Sequence, residues 1–224
     1  MIVFLISYRA RGNQTFRKEQ LSYLIENINK YFNLHSLEYK IVICEQNDDD
    51  KFNRGQLLNI AFIESEKLFK FPKKYFHMNV DYTIDLSRSF PSEILNFDKG
   101  FLDLHRPAHP VLGAACVFDP ESYSIINGFP NDLYGWGGDD SAIYNRIIEK
   151  NIPIFCPENL YNSGFIIETN NWNVTDTSNN DRNSNLAHNR HDIDTNGITT
   201  CKYIVNNYYN QHNIHHFLLD LCKS

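Results

Sequence analysis

Cysteine is scarce in this sequence, and its spacing follows no pattern typical of a cross-linked or zinc-binding protein. The 224 residues include five cysteines, an odd number, and none of them belongs to a Cys-x-x-Cys pair. A disulfide framework and a zinc cluster are therefore not indicated. We expect reduced and mostly buried thiols at Cys44, Cys116, Cys156, Cys201 and Cys222.

Long apolar runs and an excess of positive charge are also missing. The apolar run at residues 2–6 is too short for a secretory signal or a membrane span. The formal net charge of −6 and the pI of about 5.8 argue against nucleic acid or an anionic membrane as the main partner. With 42% apolar residues, the chain predicts a soluble, cytoplasmic, single-domain protein without an integral membrane segment.

Strand and helix patterns alternate through the first third of the chain. Apolar runs predict strands at residues 2–7, 39–44 and 75–81, and helical spacing predicts helices over residues 21–32 and 57–68. This βαβαβ order predicts an α/β fold with a mostly parallel sheet and helices on both faces. In such folds ligands bind beyond the carboxyl ends of the strands.

The last third of the chain reads differently. Between about residues 170 and 189 the composition shifts to Asn, Asp, Ser and Thr, with Trp172 as the only aromatic residue, which predicts a long flexible loop. Residues 198–209 then predict a strand, and residues 212–222 predict a short terminal helix.

Charged side chains follow the predicted strands. Arg9 and Arg11 come after the first strand, Arg54 follows the second, and Asp81 ends the third. Because the planar guanidinium fork suits phosphate, three arginines facing one crevice predict a nucleotide diphosphate site. The alternative is that these arginines simply lie in solvent.

A glycine-rich run with a tryptophan and two adjacent carboxylates lies between residues 126 and 147. Its glycines let the backbone approach a ligand closely, and the indole of Trp136 offers a flat face for a sugar ring. Helical spacing from Asp139 onward puts Asp139 and Asp140 in the first turn of a helix, whose dipole favours ionised carboxylates that can act as a base. The alternative is an ordinary helix cap after a Gly-Gly turn.

Several short motifs occur in a fixed order. Residues 7–11 (Ser-Tyr-Arg-Ala-Arg) are similar to Pro-Phe-Arg-Asn-Arg, residues 52–59 match Phe-Asn-Arg-x-x-Leu-Leu-Asn, and residues 79–81 stand for Asp-Val-Asp. Residues 113–129 match a run from Gly-Gly-Val to Ile-Asn-Gly-Phe-Pro-Asn, and residues 134–140 match Trp-Gly-Trp-Gly-Gly-Glu-Asp. In these motifs the chain resembles the β-1,4-galactosyltransferases, including their bacterial relatives in polysaccharide synthesis.

The resemblance implies a GT-A fold and an inverting transfer from a UDP-sugar to a glycan or lipid-linked acceptor, in the cytoplasm or peripheral to a membrane. Asp140 corresponds to the family's base, and Asp81 to its metal ligand for Mn²⁺ or Mg²⁺. The positions implied for nucleotide binding are Arg9, Arg11, Phe52, Arg54, Asn79 and Asp81. Those implied for the sugars are Gly113, Ala114, Tyr134, Trp136, Gly137, Gly138, Asp139 and Ser141.

Two departures concern the metal site. Asn79 replaces the first Asp of the Asp-x-Asp motif, and Ile166 and Thr169 stand where the family has metal ligands. Replacement ligands are predicted at Glu168, His188 or His191; otherwise the metal is weakly held or not needed. A second hypothesis is therefore a catalytically silent module that binds UDP-sugar or glycan.

Two further departures concern specificity. Ser141 replaces an acidic residue that contacts the acceptor in the family, so the family's N-acetylglucosamine acceptor does not carry over. Val111 stands where galactose-specific members have a bulky Tyr, which leaves space for a 2-acetamido group and makes UDP-GalNAc an alternative donor to UDP-galactose.

The resemblance also suggests a division of the chain. We predict a nucleotide-binding half at residues 1–110 and a sugar and acceptor half at residues 111–165. A lid loop is predicted at residues 166–197, with a disordered excursion as its alternative, and a C-terminal strand and helix at residues 198–224.

Overall fold

A computed structural model describes residues 1–10, 15–71, 74–104, 112, 114–169, 178–189 and 192–223. The sequence predictions for Arg11, Val111, Gly113, Trp172 and His191 fall outside these residues.

The first part of the chain has the predicted βαβαβ order. Strand β1 (Ile2–Tyr8) leads to helix α1 (Thr15–Leu34), strand β2 (Tyr39–Gln46) to helix α2 (Arg54–Leu68), and strand β3 (Lys74–Met78) follows. Each observed strand begins within two residues of its predicted start. Strand β3 ends before Asp81, which lies in a turn.

The remaining elements are short until the C-terminal hairpin. In chain order they are β4 (Tyr82–Ile84), α3 (Ser92–Asn96), β5 (Phe101–Asp103), β6 (Ala115–Phe118), α4 (Pro120–Ile125), α5 (Asp139–Glu149), β7 (Ile154–Phe155), α6 (Glu158–Asn162), β8 (Ile166–Glu168), α7 (Asn180–Asn189), a 3-10 turn (Ile198–Thr200), β9 (Tyr203–Gln211) and β10 (Ile214–Leu221).

Eight of these strands form the central sheet in the order β7-β5-β6-β3-β1-β2-β10-β9. Strand β1 lies parallel to β2 and β3, and β2 lies parallel to β10, so the centre of the sheet is parallel. Antiparallel pairs occur toward both edges, at β3-β6, β6-β5 and β10-β9. The predicted α/β fold with a mostly parallel sheet is confirmed.

Alternate residues of β1 face two separate apolar layers. Phe4 and Ile6 pack on the α1 side, where Phe4 stacks on Phe76 with ring centroids 4.9 Å apart. Val3 and Leu5 face the α2 side of the sheet. Since both faces are covered, β1 is buried along most of its length, and its carboxyl end is held rigidly.

The predicted C-terminal helix is wrong. Residues 214–221 form β10, in which His215, Phe217, Leu219 and Leu221 are buried in strict alternation. The apolar positions of this segment also fit helical spacing, but its parallel pairing with β2 makes it a strand. The strand predicted at residues 198–209 is shifted as well, because residues 198–200 form the 3-10 turn and β9 begins at Tyr203.

The prediction of one long loop over residues 170–189 is also wrong for its second half. Residues 180–189 form α7, in which Asn183 and Ala187 are buried. Ala187 packs with Leu133 and Ala142, and its carbonyl oxygen accepts a 3.0 Å bond from the Asn145 side chain. Contacts with α5 thus stabilise a helix whose Asn-rich sequence gives little helical signal.

The cysteines are all unpaired, as predicted, but only Cys44 and Cys116 are buried; the other three are partly exposed. Burial raises the pKa of both buried thiols well above the usual value, which keeps them protonated. No helix within the described residues has the length and hydropathy that crossing a membrane requires.

Gly128 and Gly164 offer a matched test of packing around the 126–131 turn. Both have left-handed backbones, with φ of +62° and +65°, but a Cβ on Gly128 would overlap the Asn59 side-chain oxygen, whereas one on Gly164 would meet no atom closer than 3.6 Å. Gly164→Ala should cost about 1 kcal/mol of unfolding free energy through backbone strain alone. Gly128→Ala should cost about 1–3 kcal/mol more, because of the overlap. Urea unfolding of the two variants measures this difference, and equal losses would contradict it.

Candidate functional site

The glycine-rich run forms a tight approach to helix α5. Gly138 is the N-cap of α5, with φ of +85°, and a Cβ there would lie 2.5 Å from the Asn183 carbonyl oxygen. Only glycine can hold this conformation and also let α7 come so close. Trp136, which precedes it, is 45% exposed. The close backbone approach at Gly138 is made to α7, and an approach to a ligand stays a prediction.

Asp139 and Asp140 form the first turn of α5, as the sequence predicts. The Nη2 atom of Arg54 lies 2.5 Å from Oδ2 of Asp139 and also forms a short ion pair with Oδ1 of Asp140. Arg54, predicted to bind nucleotide, therefore holds both carboxylates. Their side chains differ in accessibility, with exposed fractions of 18% for Asp139 and 39% for Asp140.

Burial and charge act in opposite directions on Asp139. Burial raises the pKa of its carboxyl group, and the neighbouring Asp140 raises that pKa too, while the Arg54 guanidinium lowers it. Both carboxylates in turn raise the pKa of Arg54, which stays protonated. Asp139 is thus tied to the arginine, whereas Asp140 keeps a solvent-accessible oxygen that can accept a proton.

Asn53 fixes the start of α2 and thereby places Arg54. Its side-chain oxygen accepts a 3.0 Å hydrogen bond from the Gln56 N–H as the helix N-cap, and its amide donates a 2.8 Å bond to the Asn131 carbonyl oxygen. Gln46, the last residue of β2, accepts a 3.0 Å bond from the Asn53 N–H. Asn53 is fully buried, so these bonds form away from water.

Asn59 links the same helix to the turn at residues 126–131, which begins the glycine-rich run. Its amide donates to the Phe129 carbonyl oxygen at 2.7 Å and to Oδ1 of Asn131 at 2.9 Å. Its oxygen accepts from the Tyr123 hydroxyl at 2.8 Å and from the Phe129 N–H at 2.9 Å. The motif at residues 52–59 and the turn at residues 126–131 are therefore parts of one hydrogen-bonded structure.

Arg146 anchors the other end of α5. Its guanidinium is buried and donates to the carbonyl oxygens of Gly128 at 2.9 Å and Asn196 at 2.5 Å. It also forms a 3.3 Å ion pair with Asp192. These contacts tie α5 to the segment that follows α7.

Two other predicted nucleotide-binding residues, Arg9 and Phe52, follow the carboxyl ends of β1 and β2. Arg9 donates a 2.5 Å hydrogen bond to the Asp50 carbonyl oxygen, which joins the two strand ends. The carbonyl oxygen of Phe52 accepts a 2.8 Å bond from the Gly135 N–H, which joins the β2 end to the glycine-rich run. The structure thus brings this part of the predicted site together.

Asp81 lies in the turn between β3 and β4, near the predicted metal ligands. Its Oδ1 atom is buried and has no hydrogen-bond partner among the described residues, and Arg17 lies 3.8 Å from Oδ2. Its carbonyl oxygen accepts bonds from the Thr169 N–H at 2.8 Å and the Thr169 hydroxyl at 2.9 Å. Glu168 pairs with Tyr82, next to Asp81 in the chain, so β8 passes beside Asp81.

Of the remaining predicted residues, two make hydrogen bonds to neighbouring segments and two lie on helices. The Asn79 N–H donates a 3.0 Å bond to the Ala114 carbonyl oxygen, and the Tyr134 hydroxyl donates a 3.2 Å bond to Gln56. Ser141 is half-buried on α5, and His188 is exposed on α7. Metal binding by His188 stays a prediction.

Sequence reasoning missed two asparagines, one on α7 and one directly before it, that hold the glycine-rich run. The side-chain amides of Asn179 and Asn183 donate to the Tyr134 carbonyl oxygen at 2.7 Å and 3.1 Å. Nothing in their local sequence distinguishes them from the other asparagines of this segment. Only the docking of α7 gives them this role.

Two family models match the chain and together cover most of it. The one described as the N-terminal region of glycosyl transferase group 7 matches residues 2–87, and the one described as the N-terminal domain of galactosyltransferase matches residues 100–169. These ranges contain every motif described above.

Similar curated proteins are β-1,4-galactosyltransferases. The chain is 32% identical to β-1,4-galactosyltransferase 1 of Mus musculus over 148 residues, which is 63% of this chain and 36% of that protein. It is 27% identical to the Bos taurus protein over 196 residues, which is 84% of this chain and 48% of that protein. The chain thus spans between about a third and a half of the length of these relatives.

A similar solved structure is the catalytic domain of Drosophila β1,4-galactosyltransferase 7 in complex with xylobiose. It superposes with a TM-score of 0.76 at 18% sequence identity and covers 100% of this chain and 94% of that chain. A mutant of the same protein, solved with manganese, UDP-Gal and xylobiose, matches equally well. This likeness confirms the predicted GT-A fold.

Replacing Arg54 tests its hold on the two carboxylates. Arg54→Met should destabilise the protein by about 3 kcal/mol at pH 7, because it leaves carboxylates without their cation. It should also raise the pKa of Asp139 further in the folded state, since Arg54 lowers that pKa. The folded variant then binds more protons than the unfolded chain above about pH 4, so its stability should fall as the pH rises.

The unfolding free energies of Arg54→Met and the parent protein are measured from pH 4 to pH 7. We expect the difference between them to grow as the pH rises. Arg88→Met is the matched control, because the Arg88 side chain is 54% exposed and, among the described residues, forms an ion pair only with Asp85. It should cost at most about 1 kcal/mol. A pH-independent deficit in Arg54→Met would argue against the ion pairs.

Proposed function

This chain belongs to the β-1,4-galactosyltransferase family, and we propose that it transfers galactose or N-acetylgalactosamine from a UDP-sugar to a hydroxyl group of a glycan acceptor. The observation that carries the proposal is the Asp140 carboxylate. It lies in the first turn of α5, is 39% exposed, and is joined through Arg54 to the carboxyl end of β2. A base and a nucleotide-binding strand end are thereby brought into one crevice.

Asp140 acts as the general base in this proposal. Its carboxylate takes the proton from an acceptor hydroxyl as that oxygen attacks the anomeric carbon of the donor sugar. The bond between the anomeric carbon and the UDP oxygen breaks, and its electron pair leaves with UDP. Because attack and departure occur on opposite faces, an α-linked donor yields a β-linked product.

Asp139 supports the base without taking the proton. Its burial and its ion pair to Arg54 hold the guanidinium against the start of α5. The ion pair with Arg54 orients the Asp140 carboxylate. Arg9, Arg11 and Phe52 are proposed to hold the uridine and the diphosphate.

A divalent cation fits Asp81. Within the part of the chain that the structure describes, the buried Oδ1 atom of Asp81 has no hydrogen-bond partner, as expected of a carboxylate that binds a cation. Mn²⁺ or Mg²⁺ would supply positive charge to the leaving diphosphate, as manganese accompanies UDP-Gal in the galactosyltransferase 7 complex. Asp81 and Glu168 would hold it, with Asn79 beside them.

The sugars are proposed to bind along the glycine-rich run. Trp136 offers an exposed indole face, and Ser141, half-buried one residue after the base, replaces a charged contact to the acceptor. The acceptor is a glycan or a lipid-linked saccharide in the cytoplasm. The choice between galactose and N-acetylgalactosamine depends on the space that Val111 leaves.

A binding module without catalysis is the second candidate. Thr169 uses its hydroxyl on the Asp81 main chain, and the described residues contain no cluster of three His, Cys, Asp or Glu side chains suited to a metal. Calorimetry with UDP separates the two candidates. If UDP binds but no UDP-sugar is turned over with Mn²⁺, Mg²⁺ or chelator, the binding module is favoured.

The first functional test removes the base. Asp140→Asn should lower acceptor-dependent UDP release by about 10²- to 10⁴-fold, because the amide cannot accept the proton. UDP binding by calorimetry should be unchanged. Asp194→Asn is the matched control, since Asp194 is 88% exposed and its ion pair within the described residues is with Lys150. Normal turnover by Asp140→Asn would contradict the assignment of Asp140 as the general base.

The second test addresses the donor and the metal together. UDP-galactose or UDP-GalNAc should raise the melting temperature more than UDP-glucose, and chelator should reduce the shift. Asp81→Asn should abolish the metal-dependent part of the shift, whereas Asp98→Asn, an exposed carboxylate, should retain it. A shift that neither chelator nor Asp81→Asn changes would show that Asp81 holds no metal.

A further inference from the structure

Strand β9 forms one edge of the central sheet. Within the described residues β10 pairs with one side of β9, and no strand pairs with the other. The strand runs for 9 residues, from Tyr203 to Gln211, whereas β7 at the opposite edge has 2. A strand edge presents alternate N–H and C=O groups outward, so β9 offers a long template for another strand.

The composition of β9 favours such pairing. Its sequence, Tyr-Ile-Val-Asn-Asn-Tyr-Tyr-Asn-Gln, contains no charged residue and no proline, although 21% of the chain is charged. Charges and proline are the usual means by which edge strands avoid association. The large exposed side chains of β9 are Ile204, Val205, Tyr208 and Tyr209, with exposed fractions of 58%, 44%, 39% and 55%.

A bulge limits which part of β9 can accept a partner. In the pairing with β10, Asn207 lies opposite Leu218 and Val205 opposite Leu219, so Asn206 is an extra residue. Bulges turn an edge strand away from regular pairing. The regular stretch is therefore residues 207–211, next to the hairpin turn.

This stretch is compatible with a copy of itself. In an antiparallel pair about a two-fold axis at Tyr209, Tyr209 faces the partner's Tyr209, and residues 208 and 207 face residues 210 and 211 of the partner. Opposite residues then share a face of the sheet, and no like charges meet. Each copy contributes the same surface, as a two-fold interface requires.

We propose that two copies of this chain associate through residues 207–211 of β9 and form one continuous sheet. A second copy fits this edge because residues 207–211 pair with themselves in antiparallel register and carry no charge, so no like charges meet at the contact although each copy has a net charge of −6. The dimer should therefore strengthen as salt screens the repulsion between the copies. The proposal does not depend on the enzymatic activity.

Two variants that place opposite charges at position 209 test the register directly. Sedimentation equilibrium of the full chain should show a concentration-dependent dimer. Tyr209→Lys and Tyr209→Glu should each weaken it by about tenfold or more, because like charges would face each other across the axis. An equimolar mixture of the two variants should restore the dimer. The Tyr209 ring lies beside the His216 ring, with centroids 6.2 Å apart, and circular dichroism checks that the variants stay folded.

Leu34→Lys is the matched control, since Leu34 is 73% exposed on α1, away from β9 in the chain. It should leave the dissociation constant unchanged. The proposal is overturned if the parent protein is monomeric at every concentration and salt level, if Tyr209→Lys dimerises like the parent protein, or if the mixture of Tyr209 variants stays monomeric. It is also overturned if Leu34→Lys weakens the dimer as much as Tyr209→Lys.

Discussion

The contact of the Arg54 guanidinium with Asp139 and Asp140 is the constraint on which the rest of the site depends. Two adjacent carboxylates at one helix start repel each other, and burial raises the pKa of the inner one, Asp139. A single cation offsets both effects, with ion pairs to both side chains. Asp139 is thereby committed to holding the arginine, and Asp140 keeps the accessible oxygen. The different environments of the two carboxylates give them different roles.

An arginine can hold this position only if its own helix is fixed. Buried asparagines provide that support, because their short amides donate and accept at once and so join main-chain segments that lie far apart in the chain. Asn53 and Asn59 connect α2 to the 126–131 turn, and Asn131 continues to the Gly197 carbonyl oxygen at 2.8 Å. A high asparagine content predicts loops from sequence. Here several of the asparagines form a buried hydrogen-bonded framework.

The sheet is asymmetric in a way that separates two surfaces. The parallel centre collects the carboxyl ends of β1, β2 and β3, where Arg9, Arg54 and Asp81 lie, and this is where such folds bind ligands. The C-terminal hairpin instead adds an antiparallel edge that ends in β9. The chain thus presents its candidate site at the strand ends and its uncharged strand at a side edge.

Local periodicity and short motifs were enough to predict the βαβαβ start, the place of Asp139 and Asp140 in the first helical turn, and the family. Tertiary structure alone decided that Arg54 contacts the carboxylates, that residues 214–221 form a strand, and that residues 180–189 form a helix. In each case the deciding contact joins segments far apart in the chain. Parallel pairing with β2 overrides helical spacing in β10, and docking on α5 overrides the weak helix propensity of α7.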